Sequence, residues 1–430
     1  MMNHHQASRI TSIIVFIIAI ASIGLSIERY QSVVLMGAYF TAFFCYLWMV
    51  RLERNLTLLI GIGVIARLTL FFDVPHLSDD VFRFLWDGKL IELGINPFQF
   101  RPNELPTVDP ELYTLLNSQI HYTVYPPFNQ ALFWLAATTG GNSYLLGTNV
   151  LRFFLLLAEI GSLFLLFKLS KQFHQPTKIA AWYFLNPLVI LEIVGNVHFE
   201  GFVIFFLLLM LYALTKNKFI SGGIALGMAA AAKLIPLIFL PFLLLKHQWR
   251  NGIIISGAAI AIFFLTIYPL FDIESLQGFQ KSLMLYSSKF EFNASIYFII
   301  REIGWLIKGY NPIETWGPWL SFSTFLSIVL FSLYAASKDW NISKSLFWIL
   351  IIYLLLATTV HPWYILTLLP LGLLSGYYFP IIWSFMVFLT YIGYHEKGFE
   401  LSMTWVVVEY TVVILAAAIE LMMSKYSENG

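Results

Sequence analysis

The chain is predicted to be an all-α polytopic membrane protein with about 11 to 14 transmembrane helices. Three observations carry this. Of 430 residues, 59% are hydrophobic and only 11% charged, against about 25% charged in soluble globular chains. Mean hydropathy is +0.76. The apolar residues also run continuously, as at 12–27, 252–267 and 403–422, whereas a membrane barrel would alternate in segments of ~10 residues. Net charge is +1, which implies no nucleic acid or other polyanion as partner. The one cysteine, Cys45, lies in an apolar run and excludes a disulfide framework within the chain.

The elements follow in order. Residues 1–30 have the look of a signal peptide, but more spans follow at once and no small-residue cleavage site stands out, so a retained signal anchor is expected. Spans are expected at 12–27, 32–50 and 55–72, before the loop 73–125. A shorter apolar stretch, 126–139, reads as re-entrant or interfacial. Spans follow at 144–167, 179–194, 200–215, 219–232, 234–245 and 252–268. After the loop 269–293 comes a second short stretch, 294–307, then spans at 318–336, 345–360, 363–377, 379–394 and 403–422. Several fall short of the ~20 residues a spanning helix needs. No internal repeat and no linker to a soluble domain is found, so residues 1–430 read as one integral-membrane domain.

Basic clusters set the expected orientation. Arg51 and Arg54; Lys168, Lys171 and Lys178; Lys216 and Lys218; Lys246 and Arg250; Lys338 and Lys344; and Lys425 all fall on one side, which should be cytoplasmic. The opposite face then receives loop 73–125, the turn at Asn196–Gly201, loop 269–293, His361 and the turn 395–402.

Loop 73–125 holds the densest polar stretch, His76 to Arg101, with Asp79, Asp80, Arg83, Asp87, Lys89 and Glu92. A charge at the bilayer centre costs roughly 2.5–3.5 kcal/mol on the mildest scale, so this stretch belongs at a membrane surface or in a wet cavity. Val81–Leu93 has apolar residues near helical spacing, and Asn96-Pro97 ends the pattern. Asp79 and Asp80 open that helix, and either Ser78 or Asp79 suits its N-cap. Arg83 and Asp87, at i,i+4, are placed to pair.

These residues, with motifs further along, carry a resemblance. SDDVFRFLWDG, GINPF and the YPP at Tyr125–Pro127 are followed by GNVHFEG at 195–201 and KLIPLIFLP at 233–241. FNASIY at 292–297 and HPWYILTLLPL at 361–371 complete the order. Together they resemble the membrane glycosyltransferases of the GT-C fold, most of all the bacterial polyprenol-phosphate-dependent mannosyltransferases. The resemblance implies transfer of a hexose, most readily mannose, from a polyprenyl-phosphate donor to a glycan or glycolipid acceptor, with inversion. The reaction would occur on the non-cytoplasmic face of a bacterial inner membrane.

Glycosyl transfer needs a base for the acceptor hydroxyl as the oxocarbenium-like centre is attacked. The resemblance assigns that role to an acid of the first external loop, here Asp79, with Asp80 next to it. Candidate substrate-binding residues are Arg83, Tyr125, His198, Glu200, Lys233, Asn293, Arg301, His361, Trp363 and Tyr364. Lys233, between two apolar segments, would meet a lipid phosphate as a point charge or snorkel. Arg301 lies amid apolar residues, which marks a functional site or a partnered ion, and Glu302 beside it is expected to offer little. Trp363 and Tyr364 would stack on a sugar or join the aromatic belt. Tyr125-Pro126-Pro127 and Asn293 read first as structure, with the prolines starting a helix.

No phosphate-binding glycine loop appears, which disfavours a nucleotide-sugar donor. No cofactor is required by these residues. A divalent metal stays open because the acids are adjacent rather than spaced Asp-x-Asp, while His198, Glu200 and His361 match no zinc-ligand spacing. The alternative reading is a transporter or flippase for a lipid-linked sugar, for which paired broken spans in two halves would be expected.

Overall fold

The computed structural model describes residues 4–270, 272–396 and 398–428. Each of the fourteen expected apolar segments is helical over most of its length. The one sheet among the described residues is a two-stranded antiparallel hairpin, Tyr394–His395 with Gly398–Phe399. The main apolar core runs from Phe16 to Val413, and a small second cluster joins Phe98 to Phe279.

Among the described residues, six helices are long and apolar enough to cross a membrane: Ala7–Leu25, Ser32–Leu52, Tyr144–Gln172, Trp249–Thr266, Ile313–Ser337 and Met403–Met423. A seventh apolar pair, Pro187–Gly195 with Glu200–Thr215, is bent by 113° at its break. The other expected spans are shorter helices, such as Phe219–Ala232, Ile235–Lys246 and Pro362–Leu374. By length and composition alone, six or seven of the expected segments qualify as unbroken spans, and the rest are shorter apolar helices of the same all-α architecture. Local chemistry explains the interruptions. Pro187 stops the helix Ile179–Phe184 from continuing, because the residue before a proline is pushed out of the α region, and Asn186 is extended. Lys233 is extended as well, with φ −159° and ψ 138°, and divides two helices ahead of Pro236.

One ion pair is sealed completely inside the helical body. Arg67 meets Glu159 through two hydrogen bonds of 2.6 and 2.8 Å, and both side chains are fully buried. The same guanidinium donates to the carbonyls of Gly63 and Phe184 at 2.9 and 2.8 Å, so helices Leu56–Thr69, Tyr144–Gln172 and Ile179–Phe184 converge on one side chain.

The expected loop helix spans Asp80–Glu92 and buries Val81, Phe84, Leu85, Trp86 and Leu90. It lies against Pro127–Gly140, the stretch expected to be re-entrant or interfacial. The contact requires glycine at position 88, where a Cβ would stand 2.1 Å from the carbonyl oxygen of Phe133. Phe84 stacks on Phe133 at 4.5 Å in the same interface. The second short stretch is the helix Ile296–Lys308.

Two stability outcomes follow. Gly88→Ala forces these helices apart and should lower stability by about 1–3 kcal/mol, the usual range for overpacking, read as a lower melting temperature. Glu159→Ala leaves Arg67 buried and uncompensated, at about 3–5 kcal/mol, whereas replacing both partners with apolar residues of similar volume should cost far less. Equal losses in the single and the double variant would contradict the pair's structural role.

Candidate active site

The site lies where the loop helix, the bent apolar pair and the segment after Leu356 meet. Asp79 and Asp80 are adjacent in sequence but diverge. Asp79 occupies the N-cap position without making a side-chain cap bond, and its carboxylate forms an ion pair with Arg29. Ser78 Oγ instead accepts from the Asp80 N–H at 3.3 Å. Asp80 turns the other way. Its Oδ2 accepts from the Tyr125 hydroxyl at 3.2 Å, its Oδ1 from Asn117 Nδ2 at 3.1 Å, and His198 Nε2 stands 3.8 Å from Oδ2.

His198 comes from the break in the bent pair. Residues Ile190–Gly195 form a π-helical turn, and Val197 follows in the left-handed region at φ 62°. π-Turns are rare and concentrate at functional sites. A β-branched residue at positive φ is an outlier costing on the order of 1–3 kcal/mol. Glu192, fully buried within this turn, accepts from His198 Nδ1 at 3.0 Å, Asn196 Nδ2 at 2.9 Å and the Tyr391 hydroxyl at 2.8 Å. Beneath it Arg152 donates to the carbonyls of Val194 and Gly195, both at 2.9 Å, and to that of Asp73.

The HPWY residues complete the cluster. Trp363 lies between His198 and His361, with ring centroids 3.8 and 4.4 Å apart. Both faces of its indole are therefore covered, so stacking on a sugar is closed to Trp363 in this arrangement. His361 also packs on Phe292 at 4.3 Å. Burial, and then the charge of Lys233, push its imidazole well below the usual histidine range, so it is neutral near pH 7. Its Nδ1 is buried without a hydrogen-bond partner among the described residues. Lys233 pairs with Glu200, and its Nζ stands 4.1 Å from the centre of the Tyr364 ring. These three residues form the polar end of a narrow cleft whose walls include Leu207, Phe239 and Leu354.

Of the residues singled out from sequence, Asp80, Tyr125, His198, Glu200, Lys233, His361, Trp363 and Tyr364 come together. Three lie to the side. Arg83 is buried, pairs with Asp87 at 2.7 Å and donates to the carbonyls of Ser118 and His121, so it fixes the segment that carries Asn117. Asn293, at φ 45°, donates to Glu409 at 3.0 Å, and its carbonyl accepts from Tyr410. Its neighbour Phe292 makes backbone hydrogen bonds to Thr358 and Val360, next to His361. Arg301 pairs with Glu291 at 3.0 Å and, contrary to the spacing argument, with Glu302 at 2.9 Å. An arginine side chain is long enough to fold back onto its neighbour even though their Cβ atoms diverge.

Sequence reasoning passed over Glu192, Arg152, Arg29 and Asn117. The first two carried a signal, since each is an ionisable residue within an apolar run. Among the described residues no group of three or more His, Cys, Asp or Glu is placed to hold a metal ion. Asp79 and Asp80, facing different partners, do not form one chelate.

The fold is thus a many-helix, membrane-type body that carries an acid–histidine–aromatic cluster at a broken helix. The comparisons with known proteins give the family. The model described as "Alpha-(1->6)-mannopyranosyltransferase, N-terminal domain" matches residues 10–248, more than half of the chain, and the chain belongs to that family. It is similar to alpha-(1->6)-mannopyranosyltransferase A of Corynebacterium glutamicum, 23% identical over 40% of this chain and 35% of that protein. It is also similar to alpha-(1->6)-mannopyranosyltransferase A of Mycobacterium tuberculosis, 28% identical over 43% of this chain and 36% of that protein. The matches thus span about a third of the length of these relatives. No solved structure matches the chain. The family match takes in Asp79, Asp80, Tyr125, Glu192, His198, Glu200 and Lys233, while His361, Trp363 and Tyr364 lie beyond it.

Proposed function

We propose that the chain transfers a mannosyl group from a polyprenyl-phosphate donor to a hydroxyl of a glycan or glycolipid acceptor, with inversion, on the non-cytoplasmic face. The observation that carries this reading is the position of Asp80. Its carboxylate lies at the junction of Tyr125 and His198, and the chain belongs to a mannopyranosyltransferase family. Asp80 takes the acceptor proton as the acceptor oxygen bonds to C1, and the C1–O bond to phosphate breaks in the same displacement. The electron pair leaves with the polyprenyl phosphate, so no nucleotide enters the reaction.

Asp79 is the weaker candidate for the base, because Arg29 already occupies its carboxylate. Lys233 supplies the cation for the phosphate, and the apolar walls beside it suit the first isoprene units of the donor tail. Tyr364 offers a ring to the sugar. His361, neutral and with an unpartnered Nδ1, offers a hydrogen bond to the departing phosphate. The side of the membrane rests on the basic clusters, which gather opposite the loop holding Asp79 and Asp80.

The test is mannosyl transfer by purified protein in detergent, from a short-chain polyprenyl-phosphate-mannose to a panel of glycan and glycolipid acceptors, with EDTA or divalent metal in parallel arms. Asp80→Asn should lower kcat by about 10²–10⁴, the usual contribution of a positioned base, and Asp79→Asn by less. Lys233→Ala should raise KM for the donor by about tenfold or more, as one charge-assisted contact of ~1.5–3 kcal/mol is lost. Transfer that survives intact in Asp80→Asn would sink the base assignment. No transfer by the wild-type protein, with movement of the lipid-linked sugar across proteoliposome bilayers, would establish a flippase instead.

A further inference from the structure

We infer that Glu192 and His198 form a proton relay behind Asp80, in which Glu192 is a positioning residue that orients the imidazole and stabilises its cation. The inference rests on the reading of Asp80 as the base. It starts from three facts outside that reading. Glu192 is a fully buried acid in an apolar segment. Its three donors, His198 Nδ1, Asn196 Nδ2 and the Tyr391 hydroxyl, leave the carboxylate no freedom to turn. The opposite nitrogen, His198 Nε2, is buried without a hydrogen-bond partner among the described residues and faces Asp80 Oδ2 across 3.8 Å.

A carboxylate accepts hydrogen bonds, so the hydrogen of the neutral ring belongs on Nδ1 and the lone pair on Nε2. That lone pair points at the oxygen that receives the acceptor's proton. When the acceptor O–H is cleaved and the new C1–O bond forms, the proton passes from the hydroxyl to Asp80 and on to Nε2. The resulting imidazolium holds hydrogen on both nitrogens, one toward Asp80 and one toward Glu192. The proton returns to water when the product leaves, and no redox partner or further reactant is needed. The 3.8 Å gap is the only slack link, and a shared proton would close it to a charge-assisted hydrogen bond.

The surroundings keep the ring in place. Trp363 covers one face, Arg152 fixes the carbonyls of Val194 and Gly195, and the left-handed Val197 aims the following residue back over Glu192, whose carbonyl accepts the His198 N–H at 3.0 Å. The titratable groups facing this unit are Asp80 on the loop helix, Tyr391 and Tyr394 from the segment before the hairpin, and His361 beyond Trp363. The Arg29–Asp79 and Lys233–Glu200 pairs flank it.

The test is the pH dependence of mannosyl transfer by the full chain in detergent, with short-chain polyprenyl-phosphate-mannose and an acceptor that the wild-type protein uses. Glu192→Gln should lower kcat by about a hundredfold while KM for donor and acceptor stays within about twofold. The acid limb of its kcat/KM profile should move to lower pH, because the imidazolium has lost its counter-charge. Glu192→Asp should recover part of kcat. If Glu192→Gln does not fold, His198→Gln serves at the other end of the link, with the same kcat loss and no acid limb from this unit. A folded variant with wild-type kcat and an unmoved acid limb, or with a raised KM alone, would overturn the relay while the transferase reading stands. Absence of transfer by the wild-type protein would instead remove the reading on which the relay depends.

Discussion

Arg152 is the side chain on which the arrangement of the site depends. It lies in the long apolar helix Tyr144–Gln172, almost completely buried, where an unsatisfied cation would be prohibitive. Its guanidinium donates to three backbone carbonyls and to Asn149 Oδ1. Two carbonyls come from the end of the π-turn, Val194 and Gly195, and one from Asp73, where the first long loop begins. One guanidinium therefore joins the segment that delivers Glu192 and His198 to the segment that delivers Asp79 and Asp80. The chain positions separating those groups exceed a hundred residues, and no regular element connects them directly. The planar fork of arginine meets three carbonyls in fixed directions, which lysine does not reproduce.

Breaking helices is how this fold brings polar chemistry into an apolar body. An intact spanning helix satisfies every backbone group internally and leaves none for function. Where the helix stops, carbonyls and side chains become available, and each break is matched by a partner. The π-turn and its strained Val197 are held by Arg152 and by the hydrogen bonds to Glu192. The extended Lys233 places its ammonium at the cavity mouth against Glu200 and Tyr364. His361 follows the extended Ala357 at the end of helix Ile342–Leu356 and is pinned through the Phe292–Val360 backbone bond. The strain and the lost helical bonds are offset by the large core around them.

The elements were largely legible in the sequence, because apolar run length is a direct reading of helix position. Phe219–Ala232 agrees with its expected bounds, and the helix from Asp80 starts one residue before the expected Val81. The number of full crossings was less legible, because a proline or an extended lysine shortens a helix without interrupting its hydropathy. For the site, residues within polar motifs were visible by type: Asp80, Tyr125, His198, Lys233 and His361 are polar or ionisable groups in segments that must otherwise suit lipid. Their partners were not. Glu192 shows in sequence only as one acid in an apolar run, and its pairing with His198 depends on a π-turn and a left-handed valine that no periodicity encodes. Arg301 shows the converse limit. Its surroundings mark an expensive charge, but the sequence does not say that Glu291 and Glu302 already compensate it.

The two adjacent aspartates illustrate why identity of type is not identity of role. They share a helix terminus, yet successive residues there point about 100° apart, the angular step of an α-helix. That angle sends one carboxylate to Arg29 and the other to Tyr125, Asn117 and His198. An acid matched by a guanidinium has a fixed partner, and using it as a base would require breaking that pair. An acid whose neighbours are a tyrosine hydroxyl, an asparagine amide and an imidazole has no guanidinium to displace. The difference lies in what the fold places opposite each residue: Arg29 comes from the turn after the first helix, and His198 from the break in the bent pair.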